Sequence, residues 1–276
     1  MNTAPLFQNQ LLATKFFLPV ASHPLIPRPR LASLLDESLK HPLTLISAPA
    51  GFGKTMLLSA WAQSLPANNP LVAWVSLDEG DNEPLVFWIN ILTALDKQQA
   101  KRFTPLLVYL QSSQAPPLKY ILTAFMNLLA TSAEDFVLIL DDYHLITASQ
   151  VQTTLSYLIE RLPHQMYIIL ITRADPSLPL PLLRARGQMR EVRTNQLRCT
   201  AEETKAFFQK VVGLQFSEET IQDITTRMEG WLAGLQLLAL SLPEGANPTT
   251  LLQEVSGDQC YILDYLTEEV LRQQPQ

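Results

Sequence analysis

A glycine-rich stretch that ends in Lys54 and Thr55 carries the clearest chemical signal in the sequence. It follows the apolar run 43–46 and opens a helical pattern at 56–62. Proteins that bind nucleoside triphosphates use this order of strand, glycine-rich turn, Lys-Thr and helix, because loop N–H groups and the helix N-terminus face the phosphates. We therefore expect Lys54 to reach the β- and γ-phosphates and Thr55 to place its hydroxyl on Mg²⁺.

The loop departs from the full nucleotide-binding pattern at one position. The pattern has glycine six residues before the lysine, where this chain has Ala48, but the shorter core Gly51-x-Gly53-Lys54-Thr55 is intact. The alternative is a glycine-rich turn with a solvated lysine, and the flanking strand and helix argue against it. The predicted nucleotide-binding residues of the loop are Pro49, Ala50, Gly51, Phe52, Gly53, Lys54, Thr55 and Met56.

Two acidic residues at the end of a second apolar run supply the other half of an Mg²⁺-dependent site. The run 136–140 is typical of a strand buried on both faces, and it ends in Asp141-Asp142. A carboxylate at the carboxyl end of a strand can orient Mg²⁺, and a second acid can polarise the attacking water. We expect Asp141 to coordinate Mg²⁺ and Asp142 to activate water. Without the loop, the same pair would indicate only a turn.

Three arginines are further candidates for nucleotide contact. Arg173 follows the apolar run 167–172, where a guanidinium can contact the γ-phosphate. The alternative is a surface arginine after a buried strand. Arg28 and Arg30 precede the first strand, and they either lie over the base or ribose or are ordinary loop arginines.

The acids Asp78, Glu79 and Asp81 follow the run 71–77. They can serve as outer ligands of the metal site, but we favour a solvated acidic turn. Trp231 precedes a leucine-rich helix, and we interpret it as a core residue rather than as a cofactor contact.

Alternating strand and helix patterns predict an α/β fold with a parallel sheet covered on both faces. Predicted strands cover 43–46, 71–77, 136–140, 167–172 and the edge strand 190–192, and predicted helices cover 31–39, 56–62, 84–95, 118–129, 151–162 and 180–185. Residues 98–117 fit no single pattern. Beyond Thr200 the pattern is helical only, at 201–211, 217–229, 231–242, 247–255 and 258–272. Thr200 and Ser217 are the expected N-caps of a small helical domain.

Composition excludes several classes of protein. The chain has 276 residues, of which 47% are hydrophobic, and a net charge of −6, so a basic surface for nucleic acid is not expected within it. Cys199 and Cys260 have no metal-ligand spacing and are interpreted as reduced thiols. No apolar run is long enough to span a membrane, and no signal peptide is evident. We expect a soluble, cytoplasmic protein without a membrane partner.

A series of motifs resembles the nucleotide-binding module of MalT-like, ATP-dependent LuxR-type transcriptional regulators. The motifs are Thr14-Lys15-Phe16, Pro27-Arg28-Pro29-Arg30-Leu31, the loop from Ala48 to Thr55, Trp74-Val75-Ser76-Leu77-Asp78, the segment from Leu140 to Ile146, Thr172-Arg173-Ala174-Asp175-Pro176, Leu183-Arg184-Ala185-Arg186-Gly187 and the segment from Glu229 to Gln236. These regulators are signal-transduction ATPases with numerous domains (STAND), related to the NOD-like receptors. The series spans nearly the whole chain, and Ala48 is ordinary within it.

The resemblance implies a P-loop NTPase fold whose five-stranded parallel sheet contains an additional, inserted strand. The corresponding domains are an N-terminal extension at 1–42, a P-loop nucleotide-binding domain at 43–197, a small all-helical domain at 198–256 and the start of a truncated winged helix at 257–276. The phosphate-contacting histidine of the winged helix is therefore not expected in this chain. Leu232 replaces the proline that is frequent after Gly-Trp in the family, which argues against its contact with adenine.

The implied function is an ATP/ADP-binding molecular switch in a signal-responsive transcriptional activator. Slow Mg²⁺-dependent hydrolysis of ATP to ADP and phosphate would reset the switch, with Lys54, Asp142 and Arg173 as catalytic residues. Inducer and DNA would bind only through domains outside this chain, and self-association in the ATP state is possible. Two alternatives remain. One is a non-catalytic adaptor or oligomerisation module that holds ADP, and the other is a P-loop kinase.

Overall fold

The computed structural model describes residues 11–21, 25–66, 70–99, 101–112 and 116–240. The chain divides into two compact units. Of the described residues, the sheet unit comprises those at 11–19, 33–47 and 58–192. The loop–helix unit comprises the described residues at 20–32, 48–57 and 193–240. The glycine-rich loop is thus grouped with helical residues far along the chain. The predicted domain boundaries stay predictions.

Five strands form one sheet. They are β1 (Leu43–Ser47), β2 (Leu71–Ser76), β3 (Phe136–Asp141), β4 (Met166–Thr172) and β5 (Met189–Arg193). Their order is β2-β3-β4-β1-β5, and the pairs β2–β3, β3–β4 and β4–β1 are parallel. The resemblance implies an inserted strand, and the structure places β4 between β3 and β1. The predicted P-loop NTPase fold is confirmed.

Helices and 3-10 turns connect the strands. The helices are α1 (Pro29–Asp36), α2 (Lys54–Ser64), α3 (Pro84–Gln98), α4 (Thr104–Leu110), α5 (Leu118–Ala130), α6 (Ser149–Ile159) and α7 (Leu180–Ala185). α4 lies in the segment that fits no single sequence pattern. The start of α4 is capped by Asp96, because the Asp96 carboxylate accepts the N–H groups of Phe103 and Thr104 at 2.7 and 2.9 Å. Pro84 occupies the first turn of α3, where its missing N–H costs nothing.

The core of the sheet unit surrounds the central strands. Every residue of β1 and β3 is buried, which requires cover on both faces of the sheet. Phe87 and Trp88 of α3 pack edge to face with ring centroids 5.4 Å apart, and Phe103 contacts both Phe125 and Phe136 in the same manner. This packing holds α5 and the segment before α4 against the sheet at the start of β3, the strand that ends in the predicted acidic residues.

The helical part of the loop–helix unit contains four α-helices within the described residues. They are α8 (Thr194–Leu197), α9 (Ala201–Phe207), α10 (Glu218–Arg227) and α11 (Leu232–Leu240). α9 continues into a π-helical turn, Phe208–Val212, which Gly213 ends with a φ of 80°. The predicted N-caps are confirmed, because the side chains of Thr200 and Ser217 accept N–H groups three residues on. The predicted helices 247–255 and 258–272, and Cys260, lie outside the described residues.

Candidate functional site

The glycine-rich loop between β1 and α2 contains two glycines in the left-handed region. Gly51 has a φ of 80° and Gly53 a φ of 74°. A Cβ on Gly51 would lie 2.3 Å from Trp231 Nε1, and one on Gly53 would lie 2.8 Å from Leu232 Cδ2. Both positions therefore require glycine, for backbone conformation and for close approach.

Lys54 and Thr55 begin α2, an eleven-residue helix. The Lys54 side chain is buried against its own loop, and Nζ donates to the carbonyl oxygens of Ala48 at 2.6 Å and Pro49 at 2.9 Å. Thr55 is half-buried in the first turn. The ammonium and hydroxyl groups thus lie at a helix N-terminus, where the partial positive charge favours phosphate.

Two residues on either side of Leu232, the first residue of α11, also bind the loop. Trp231 Nε1 donates to the carbonyl oxygen of Ala50 at 3.0 Å, and the Ala233 N–H donates to that of Gly51 at 2.9 Å. The interpretation of Trp231 as a core residue is wrong, since its ring is half-buried and contacts the loop. No local sequence pattern indicates this contact, because its partners are 181 residues apart.

Asp141 and Asp142 occupy different environments at the end of β3. Asp141 is 3% exposed, and its Oδ1 accepts the Asp142 N–H at 3.0 Å. Asp142 has a left-handed φ of 55°, a conformation that aspartate tolerates better than most residues. Its side chain is 47% exposed, with Oδ1 3.9 Å from Nδ1 of His144. One carboxylate is therefore buried and fixed, whereas the other is open to solvent. Their division of roles stays a prediction.

Arg173 directly follows β4, the strand between β3 and β1. The last residue of β1, Ser47, pairs with Thr172 in a parallel register. The ends of three neighbouring strands thus bring Asp141, Arg173 and Ser47 to the same edge of the sheet. Ligands of open parallel sheets bind at this edge.

Arg28 and Arg30 bind a carboxylate within the loop–helix unit. Arg28 Nε donates to Glu203 Oε2 at 3.1 Å, and Arg30 Nε donates to Glu203 Oε1 at 2.8 Å. Arg28 also donates to the carbonyl oxygens of Leu197 and Arg198 at 2.5 and 3.0 Å. Burial favours the neutral form of Glu203, but the hydrogen bonds from Arg30 and Arg28 outweigh it and lower the pKa. Contact of these arginines with nucleotide stays a prediction.

The interpretation of 78–81 as a solvated acidic turn is wrong for Asp81, which is fully buried. Its carboxylate accepts hydrogen bonds from Lys15 Nζ at 2.7 Å, Asn90 Nδ2 at 2.6 Å and the Asp78 N–H at 2.7 Å. Lys15 also pairs with Asp78 at 2.8 Å. Burial lowers the Lys15 pKa, but the hydrogen bonds to both aspartates raise it by more. The cluster anchors the N-terminal segment to the sheet unit.

Comparison with known proteins identifies the family. Residues 28–171 match the family model described as the AAA ATPase domain. The chain belongs to this family.

Within the described ranges, no helix is long and apolar enough to cross a membrane, and no cluster of three or more His, Cys, Asp or Glu side chains forms a metal site.

Similar proteins agree with the resemblance. The serine/threonine-protein kinase PknK of Mycobacterium tuberculosis is 30% identical over 259 residues, which are 94% of this chain and 23% of that protein. The HTH-type transcriptional regulator MalT of Serratia proteamaculans is 30% identical over 263 residues, which are 95% of this chain and 29% of that protein. The chain therefore spans less than a third of these relatives.

A solved structure shows the same fold. It is a STAND protein with a tetratricopeptide repeat sensor from Pyrococcus horikoshii, which matches with a TM-score of 0.59 and 16% identity over 86% of this chain and 33% of that one. Together with the MalT relatives, it confirms the prediction of a MalT-like STAND P-loop NTPase module.

Proposed function

We propose that this chain is the ATP/ADP-binding switch module of a signal-responsive transcriptional activator, with slow Mg²⁺-dependent ATP hydrolysis. The observation that carries the proposal is the loop between β1 and α2, where two left-handed glycines precede Lys54 at a helix N-terminus. The AAA family match supports nucleotide binding, and the MalT relatives support a regulatory role. Inducer and DNA recognition would then belong to other parts of a longer protein.

The residues present suit Mg²⁺ and nucleotide. Backbone N–H groups at Gly51 and Gly53, where a Cβ would fill the available space, would hold the phosphates together with Lys54. Thr55 and Asp141 would hold Mg²⁺, a sparse ligand set that leaves positions for phosphate and water. When bound, Mg²⁺ neutralises negative charge on the phosphates.

For hydrolysis, we assign the base to Asp142 and γ-phosphate contact to Arg173. Asp142 would accept a proton as the water oxygen bonds to the γ-phosphorus and the bond to the bridging oxygen of ADP breaks. Its half-exposed side chain supports this role, because the proton can pass on to solvent. Arg28 and Arg30 donate to Glu203 and to backbone carbonyls, which favours a structural role over contact with base or ribose.

Nucleotide binding can be tested with Lys54→Ala. We expect calorimetry to show Mg·ATP and Mg·ADP binding to the parent and none to the variant, because the loop loses its positive charge. Lys40→Ala is a matched control, since Lys40 is exposed and pairs only with the nearby Glu37 in its described contacts. Equal affinities of Lys54→Ala and the parent would contradict the assignment.

Turnover assays separate the proposal from its alternatives. The switch predicts slow phosphate release from Mg·ATP by the parent. A chain that retains ADP and releases no phosphate would instead be a non-catalytic adaptor. Release of ADP that depends on an added acceptor would indicate a kinase. Identification of any nucleotide that copurifies distinguishes the first two directly.

A further inference from the structure

Four consecutive carbonyl groups of the glycine-rich loop accept hydrogen bonds from side chains or from α11. Those of Ala48 and Pro49 accept from Lys54, that of Ala50 from Trp231, and that of Gly51 from the Ala233 N–H. The last two donors are Trp231, directly before α11, and Ala233, its second residue. Trp231 and Ala233 therefore hold two of the four carbonyl groups of the loop.

The carbonyl contacts determine where the loop N–H groups point. In a planar trans peptide, the C=O of one residue and the N–H of the next point in opposite directions. The bond from Trp231 to Ala50 thus orients the Gly51 N–H, and the bond from Ala233 to Gly51 orients the Phe52 N–H. Both N–H groups belong to the proposed phosphate-binding segment.

Trp231 is itself held in place. Glu229 and Gly230 both have left-handed φ angles, of 50° and 65°, which turn the chain before the tryptophan. The Cys199 N–H donates to the Gly230 carbonyl at 2.8 Å, and a Cβ on Gly230 would lie 2.6 Å from Cys199 O. The turn is thus pinned against the segment that precedes α9.

We infer that Trp231 and Ala233 are positioning residues for the phosphate loop, and that they couple α11 to phosphate binding. This inference rests on the proposed nucleotide-binding function. Movement of the start of α11 would break both bonds and free two loop peptides to rotate. Because such coupling is reciprocal, bound phosphate stabilises the contact of α11 with the loop, and loss of the contact weakens phosphate binding.

The test compares Trp231→Phe with the parent by calorimetry with Mg·ADP and Mg·ATP. Phenylalanine retains an aromatic ring but has no N–H donor, so we expect both affinities to fall about tenfold. Trp88→Phe is the matched control, since Trp88 Nε1 also makes a single described hydrogen bond, to Thr154 Oγ1 at 3.1 Å within the sheet unit. Its affinities should stay within about twofold of the parent, even though its melting temperature falls.

A second measurement needs no substitution. The Ala233 amide should exchange with solvent more slowly when Mg·ADP is bound, because its bond to Gly51 is then stabilised. The inference would be overturned if Trp231→Phe bound both nucleotides as tightly as the parent, or if Trp88→Phe lost as much affinity as Trp231→Phe. It would also be overturned if Mg·ADP did not slow the exchange of the Ala233 amide. A parent that binds no nucleotide would overturn the proposed function as well.

Discussion

Glu203 joins the segment before β1 to α9, because its carboxylate accepts the guanidinium N–H of Arg28, which lies 175 residues earlier in the chain. The same carboxylate also accepts the Thr200 N–H at 3.1 Å as half of a capping box. One side chain therefore caps a helix and neutralises part of the charge of two arginines. Loss of this carboxylate should therefore destabilise the start of α9 and also its contact with the segment that contains the two arginines.

Glu203→Gln should lower the free energy of unfolding by about 3 kcal/mol, since it leaves two arginines without their buried counter-ion. Urea denaturation of the parent and the variant measures the difference. Glu218→Gln is the control, because Glu218 pairs with Lys205 at the surface with 77% of its side chain exposed. We expect it to cost less than about 1 kcal/mol. Equal costs for the two variants would contradict the structural importance of Glu203.

The pH dependence of stability should report the same carboxylate. The pKa of Glu203 is lower in the folded protein than its usual value of 4.5. Its contribution to stability is therefore fully present above that value and is lost as the pH falls through the folded pKa. As the pH is lowered from about 6 to about 3.5, the urea concentration that unfolds half of the protein should fall more steeply for the parent than for Glu203→Gln. Other carboxylates titrate in both proteins, so the difference between them isolates Glu203. Parallel curves would show that its pKa is not lowered.

Local patterns in the sequence were enough to predict the strands and the loop. The continuous apolar run 136–140 indicates a buried strand by itself, and Lys54-Thr55 follows glycines at a fixed spacing. The resemblance added the inserted strand, since β4 pairs on one side with β3, the strand before it, but on the other side with β1, which comes three strands earlier in the chain. Such pairings depend on packing of the whole sheet rather than on any short segment.

Contacts between distant residues were missed. Asp81 belongs to a polar, acidic stretch, so the sequence favoured solvation, but Lys15 provides the counter-ion that permits its burial from 66 residues away. Trp231 precedes a leucine-rich helix, and the two together were interpreted as core rather than as a cofactor contact. Its bond to Ala50 requires a folded loop and a folded helix together. Composition and periodicity contain no information about such pairs.

Gly51→Ala should weaken Mg·ADP binding by more than about tenfold, because strain and steric overlap both act on the loop. Gly213→Ala is a closely matched control. Both glycines have a φ of 80°, but a Cβ on Gly51 meets Trp231 Nε1 at 2.3 Å, whereas a Cβ on Gly213 meets nothing within 4 Å. Gly213→Ala should cost about 1 kcal/mol of stability and leave ADP affinity unchanged. Calorimetry and thermal unfolding measure the two effects. A similar loss of affinity in both variants would show that it arises from destabilisation of the whole unit and not from a local change in the loop.

Asp142→Asn should retain Mg·ATP binding and lose hydrolysis, because the amide cannot accept the proton of the attacking water. Asparagine tolerates the left-handed φ of 55° at this position as well as aspartate does, so the variant should fold normally.

Asp141→Asn is the comparison, because it removes the buried carboxylate that we expect to be needed for Mg²⁺. We therefore expect its ATP affinity to depend less on Mg²⁺ than that of the parent. Calorimetry with and without Mg²⁺, together with single-turnover phosphate release, resolves the two roles. Phosphate release by Asp142→Asn at the parent rate would move the base to another residue.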